Sequence, residues 1–140
     1  MTPHQITLVQ RSFALAVPVA DLVADMFYDR LFDLAPELRS MFPADLAGQK
    51  KKLMAMLATA VVDLGRLDRL VPALQALGGR HAAYGVTPDH FALVGAALLR
   101  TLELILGNEF TPEVKNAWIA VYTTLTRVML DGMRELPKAA

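Results

Sequence analysis

The chain has 140 residues, 54% of them hydrophobic and 20% charged, which suits one domain with its own buried core and leaves no room for a second catalytic module. Its 14 basic side chains offset 14 acidic ones, so no net field favours nucleic acid or an anionic membrane as a partner. There is no cysteine, which excludes disulfides, iron–sulfur clusters and thiolate zinc sites and leaves 3 histidines as the strong candidate ligands for a transition metal.

Threonine followed by proline occurs at Thr2-Pro3, Thr87-Pro88 and Thr111-Pro112, each time ahead of an apolar periodic run. Threonine caps an orphan N–H of a first turn, and proline at the first helical position has no N–H to leave unpaired, so three helices are predicted to start there. Gln5 completes a capping box with Thr2. Pro18 separates the first helix from a second, amphipathic one over Val19 to Leu34, with Leu22, Val23, Met26, Phe27 and Leu31 at helical spacing. Ala35-Pro36 forces a break, a short helical turn is expected from Pro36 to about Met41, and Phe42-Pro43 ends it. A helix follows from about Ala47 to Leu64, with Gln49, Lys50, Lys51 and Lys52 crowded into its first turns.

The next helix is predicted from Leu70 to Ala83, with Pro72 near its start and Gly78-Gly79 inside. Glycine costs a helix about 1 kcal/mol against alanine, so the pair marks a loosened or close-packed stretch. Gly85 is the expected stop. Pro88 to Leu106 and Pro112 to about Arg134 are long and apolar, separated by Gly107-Asn108, and are expected to form an antiparallel pair, with a short frayed tail after Leu136. No run reaches the roughly 18 uninterrupted apolar residues of a membrane span, and the N-terminus lacks a signal-like pattern, so a soluble, cytoplasmic, single domain over residues 1–140 is expected. The pattern is all-α, with six or seven helices and no simple four-helix bundle.

Polar residues on apolar faces mark where chemistry can lie, because a buried polar group has to be hydrogen-bonded or coordinated. His81, Tyr28 and Gln49 are such residues. Singly, each has an ordinary reading: His81 as a helix-end cap or surface group, Tyr28 as a core aromatic whose hydroxyl reaches water, Gln49 as a solvated first-turn side chain. His4 and His90 fall in first turns and are expected to be exposed, and Lys50-Lys51-Lys52 reads as a solvated helix face.

Taken together, the segments Phe27-Tyr28-Asp29-Arg30-Leu31-Phe32, Pro36-Glu37-Leu38-Arg39-Ser40-Met41-Phe42, Gln49-Lys50-Lys51-Lys52-Leu53-Met54, Leu77-Gly78-Gly79-Arg80-His81, Tyr84-Gly85-Val86, Leu93-Val94-Gly95 and Ala117-Trp118 with Tyr122 resemble the globin family. The likeness is nearest to bacterial single-domain globins and the globin half of flavohemoglobins, and it covers nearly the whole chain. It implies a globin fold, a 3-over-3 helical sandwich around heme b (iron protoporphyrin IX), with His81 as the proximal iron ligand. It implies that Phe42 packs on the porphyrin and that Tyr28 and Gln49 are the distal polar pair, with Leu53 facing the same pocket. Leu77, Val86, Phe91 and Val94 are implied heme contacts. Lys52 and Arg80 either pair with the heme propionates or are solvated.

A tyrosine hydroxyl and a glutamine amide are neutral donors in a water-poor pocket, which favours a gas that gains negative charge when bound, O2, over CO. Where flavohemoglobin-like globins commonly carry a tyrosine and a glutamate that hydrogen-bond the proximal histidine, this chain has Phe91 and Met133. The resemblance therefore implies weak peroxidase chemistry, reversible O2 binding and, given an external reductase, NO dioxygenation, with O2, CO and NO as gaseous ligands. The chain ends before a flavin or nicotinamide domain would begin, and a monomer or weak dimer is expected. The alternative is a heme-based gas or redox sensor without turnover.

Overall fold

A computed structural model describes residues 1–134; the tail expected after Leu136 lies outside the described residues. Among the described residues six α-helices follow one another: α1 (Pro3–Ala16), α2 (Ala20–Leu34), α3 (Ala47–Val62), α4 (Leu67–Ala83), α5 (Pro88–Leu106) and α6 (Pro112–Arg134). Short 3-10 turns occupy Val17–Val19, Pro36–Met41, Leu64–Arg66 and Gly107–Glu109. No strand occurs among the described residues.

The threonine-proline starts form as anticipated, by two chemistries. Thr2 Oγ1 accepts from the Gln5 N–H at 3.1 Å while Gln5 Oε1 accepts from the Thr2 N–H at 2.9 Å, and Thr111 Oγ1 accepts from the Val114 N–H at 3.2 Å. At α5 the returning acceptor is an imidazole: the Thr87 N–H donates to His90 Nδ1 at 3.0 Å. His90 is thus a half-buried cap, which corrects the expectation that it is exposed. His4 is exposed and pairs with Glu113.

α4 begins at Leu67 rather than Leu70. Pro72 falls inside it, and both Pro72 and Asp68, whose carbonyl loses a helical partner there, are exposed, so water can serve that carbonyl. Gly85, at φ +91, turns the chain out of α4, and Gly107, at φ +54, turns it out of α5. Of the two readings of Gly78-Gly79, close packing is the one realised. A Cβ at Gly78 would lie 2.0 Å from the Met129 carbonyl oxygen, and one at Gly132 would lie 2.1 Å from that of Gln75. α4 and α6 therefore cross with their backbones in contact, which no residue larger than glycine permits.

The last two helices meet where the Tyr122 ring lies on Gly95, but they are not chiefly each other's partners: α6 packs mainly on α4 and α1, and α5 mainly on α2. α5 buries residues from Phe91 to Leu106 on more than one face, so a single neighbour cannot cover it. By length and mean hydropathy Pro3–Leu34 and Pro88–Glu109 resemble membrane spans, although charged residues interrupt both and neither is an unbroken apolar run. Here Pro18 and a 3-10 turn interrupt the first stretch, and the helices of both stretches contribute buried side chains to the core.

That core divides. One buried cluster gathers Val9, Phe27, Tyr28, Leu31, Leu102 and Trp118 among others from α1, α2, α5 and α6, and the Trp118 Nε1–H is satisfied by Ser12 Oγ at 2.8 Å. A smaller cluster joins Leu70 and Leu74 of α4 to Phe91 and Met129.

Candidate functional site

The first cluster carries the distal residues at its edge. Tyr28 is 3% exposed on α2, amid aromatic rings: Phe27 at 5.0 Å, Phe42 at 5.6 Å edge-on and Phe32 at 5.9 Å between centroids. Burial pushes its phenol pKa above the usual 10.0, and the neighbouring Gln49 amide draws it part of the way back. The phenol is therefore a neutral hydroxyl at physiological pH, able to donate. Gln49, half-buried, lies in the first turn of α3, and Leu53, also half-buried, follows one turn later against the same cluster. Val94 reaches this cluster from α5.

Phe42 sits where the 3-10 turn ends in extended backbone, φ −119 and ψ 155. The corner is held by Arg39, whose guanidinium donates to the carbonyls of Pro43 at 2.9 Å and Ala44 at 2.8 Å and lies 5.4 Å from the Phe32 ring centroid. Sequence reasoning missed Arg39 because its partners are backbone carbonyls brought within reach only by the folded corner.

The second cluster carries the proximal residues. His81 lies near the end of α4, half-buried, and its Nδ1 is 2.7 Å from the carbonyl oxygen of Leu77, one turn earlier. A carbonyl only accepts, so Nδ1 carries the proton and Nε2 keeps its lone pair free for a metal. The carbonyl of His81 also accepts the Val86 N–H at 3.0 Å, which seats Val86 against the same cluster after the Gly85 turn. Phe91, 7% exposed, stacks near the imidazole, with ring centroids 6.2 Å apart and planes 30° from parallel. Tyr122 donates its hydroxyl to the Phe91 carbonyl at 2.6 Å, and burial pushes the Tyr122 phenol up to about 12. Met133 packs on the same cluster as Phe91, so the two positions at which the resemblance expects a phenol and a carboxylate hold a hydrocarbon ring and a thioether.

The structure thus groups the expected residues into two sets, Tyr28, Phe42, Gln49, Leu53 and Val94 on one cluster and Leu77, His81, Val86 and Phe91 on the other. Lys52 and Arg80 are exposed and join neither set. No group of three or more His, Asp or Glu side chains is arranged to hold a metal among the described residues, so His81 would serve as a lone axial ligand whose metal is held otherwise by its own cofactor. The partly buried apolar side chains on each cluster, Leu53 and Val94 on one and Leu77 and Val86 on the other, are the lining a flat, largely apolar group would need. A cleft of about 410 Å³ lined by Phe91, Tyr122, Thr126, Leu130 and Arg134, among others, shares Phe91 with the site but includes neither His81 nor Tyr28, and is separate from it.

An all-helical fold with one half-buried imidazole on one cluster and a buried phenol beside a half-buried amide on another is consistent with a globin, and residues 25–129 match the Globin family. The chain belongs to the globin family of heme proteins. It is 30% identical over 125 residues to the flavohemoprotein of Bacillus subtilis, 86% of this chain and 31% of that one. It therefore spans about a third of the length of that relative. Among solved structures, a bacterial globin from Campylobacter jejuni superposes with a TM-score of 0.83 at 24% identity, covering 96% of this chain and 98% of that one. An engineered carbene transferase built on a Rhodothermus marinus protein classed as a nitric oxide dioxygenase superposes at 0.87 with 23% identity, covering 97% and 95%. These likenesses establish the globin fold.

Proposed function

We propose that this globin binds one heme b through His81 Nε2 and takes up O2 reversibly on the opposite side, beneath Tyr28 and Gln49. The observation that carries the reading is the His81 Nδ1 to Leu77 carbonyl contact at 2.7 Å, which selects the tautomer a metal requires and fixes the ring's direction. When bound, heme supplies an iron atom with one position open to a diatomic gas. Phe42, Leu53 and Val94 on one side, and Leu77, Val86 and Phe91 on the other, exclude water from it. In this reading Lys52 and Arg80, both exposed, either pair with the propionates or stay solvated.

Tyr28 donates a hydrogen bond to the bound gas and Gln49 supplies a second donor, and both are worth more for being shielded from water. On the other side, His81 donates its Nδ1–H to a backbone carbonyl. An imidazole so paired donates less strongly to a metal than one paired with a carboxylate, which favours reversible binding over O–O cleavage. With an external reductase the same site supports NO dioxygenation, in which NO, O2 and one supplied electron give nitrate. The likeness to flavohemoproteins and to a structure named for a nitric oxide dioxygenase is what supports this second activity.

Stopped-flow mixing of the oxygenated protein with NO tests the proposal. Nitrate should form in a single rapid equivalent, and turnover should continue only when a reductase and NADH are added. A heme-loaded protein that never takes up O2 refutes the proposal, and one that releases O2 on mixing with NO without forming nitrate refutes the dioxygenase arm.

A further inference from the structure

We infer that the ion pair between Asp25 of α2 and Lys50 of α3 is a latch that keeps Gln49 over the ligand side of the site, so that its opening governs how fast a gas enters and leaves. The inference rests on the proposed O2 reading.

α3 starts poorly. Leu46 at its N-cap provides no side-chain hydrogen bond and no acidic residue lies in the first turn. Of the free first-turn amides, Ala47 is met by Asp45 Oδ1 at 3.0 Å. Three consecutive lysines, Lys50, Lys51 and Lys52, add positive charge where the helix dipole is already positive, which weakens the turn further. Yet this weak start carries Gln49.

The tie comes from outside the helix. Lys51 and Lys52 are exposed, whereas the Lys50 side chain is 30% exposed and its Nζ lies 2.8 Å from Asp25 Oδ1. Asp25 stands one turn before Tyr28 on α2, and Lys50 is next to Gln49, so the ion pair joins the two helices beside the two distal donors. It is the one ion pair between α2 and α3 among the described residues. The Asp25 side chain is 55% exposed, so salt can screen the pair and water can compete for it. A contact of that strength opens often without the fold coming apart, as a latch requires.

Asp25→Asn, Lys50→Met and the charge-swapped double variant Asp25→Lys/Lys50→Asp test the inference in two ways. In the heme-loaded proteins, O2 dissociation and CO recombination after photolysis should be about two- to fivefold faster in either single variant. They should lose the rise with ionic strength that the parent shows, and the swap should return toward parent rates. In the heme-free chain, amide exchange over residues 48–53 should accelerate in the single variants and not in the swap, with helicity retained by circular dichroism. Unchanged rates and unchanged exchange overturn the latch. A swap that behaves like the single variants also overturns it. Failure of every variant and of the parent to take up heme instead refutes the O2 reading, while the exchange measurement still decides whether the pair holds the turn.

Discussion

Tyr28 shows how burial can prepare a side chain for ligand binding without charging it. With its ring among Phe27, Phe32 and Phe42, the phenol is held protonated above its ordinary pKa and remains a donor throughout the physiological range. Tyr28→Phe removes that donor and little volume. O2 dissociation should quicken by about fivefold or more, matching about 1 kcal/mol for one lost hydrogen bond, while CO dissociation changes little. Equal effects on the two gases would contradict the role given to the hydroxyl. Tyr122 makes a pH prediction. Its pKa rises from 10.0 to about 12 in the folded chain, so the unfolded chain gives up the proton first as pH rises. The stability contribution is intact below pH 10 and is lost between about pH 10 and 12. Thermal melts should therefore show a drop in Tm over that interval, and the drop should shrink in Tyr122→Phe.

At the scale of elements, the crossing of α4 and α6 decides how His81 is carried. Gly78→Ala places a methyl group against the Met129 carbonyl, and neither backbone can yield without separating the helices. Urea unfolding should show a loss of about 3 kcal/mol, with weakened heme uptake because α4 bears His81, the proposed axial ligand. Gly48→Ala, at a position with nothing within 4 Å, should stay within about 1 kcal/mol of the parent.

Most helix limits were legible because their signals are local. A capping threonine, a proline at the first position and a glycine with positive φ act on adjacent residues, so α5 runs from Pro88 to Leu106 as the sequence indicates. Partner choice was not legible. The Gly107 turn suggested that α5 and α6 pair mainly with each other, but α6 rests on α4 and α1, because Gly78 and Gly132 create a closer fit than the turn can supply. The same limit applied within the site: His81, Tyr28 and Gln49 could be singled out, while the Arg39 corner, the His90 cap and the Asp25–Lys50 tie depend on distances across elements that no spacing rule contains.

For the molecule as a whole, the divided core is the feature with the widest consequence. α5 contributes to both buried clusters, and the proposed distal and proximal residues stand on different ones, so a plate-like cofactor between them would add contacts to each. Heme should accordingly stabilise the folded chain by mass action, about 2.7 kcal/mol at free heme about 100 times Kd, and the melting transition should sharpen as it binds.

Titration of the heme-free protein with hemin, followed in the visible spectrum for the parent and for His81→Ala, probes the axial assignment most directly. The parent should gain a sharp Soret band at one equivalent and convert to a five-coordinate ferrous spectrum on reduction. His81→Ala should lose that signature and recover it when free imidazole is added. A parent that stays colourless, or an alanine variant with an unaltered spectrum, would contradict the account.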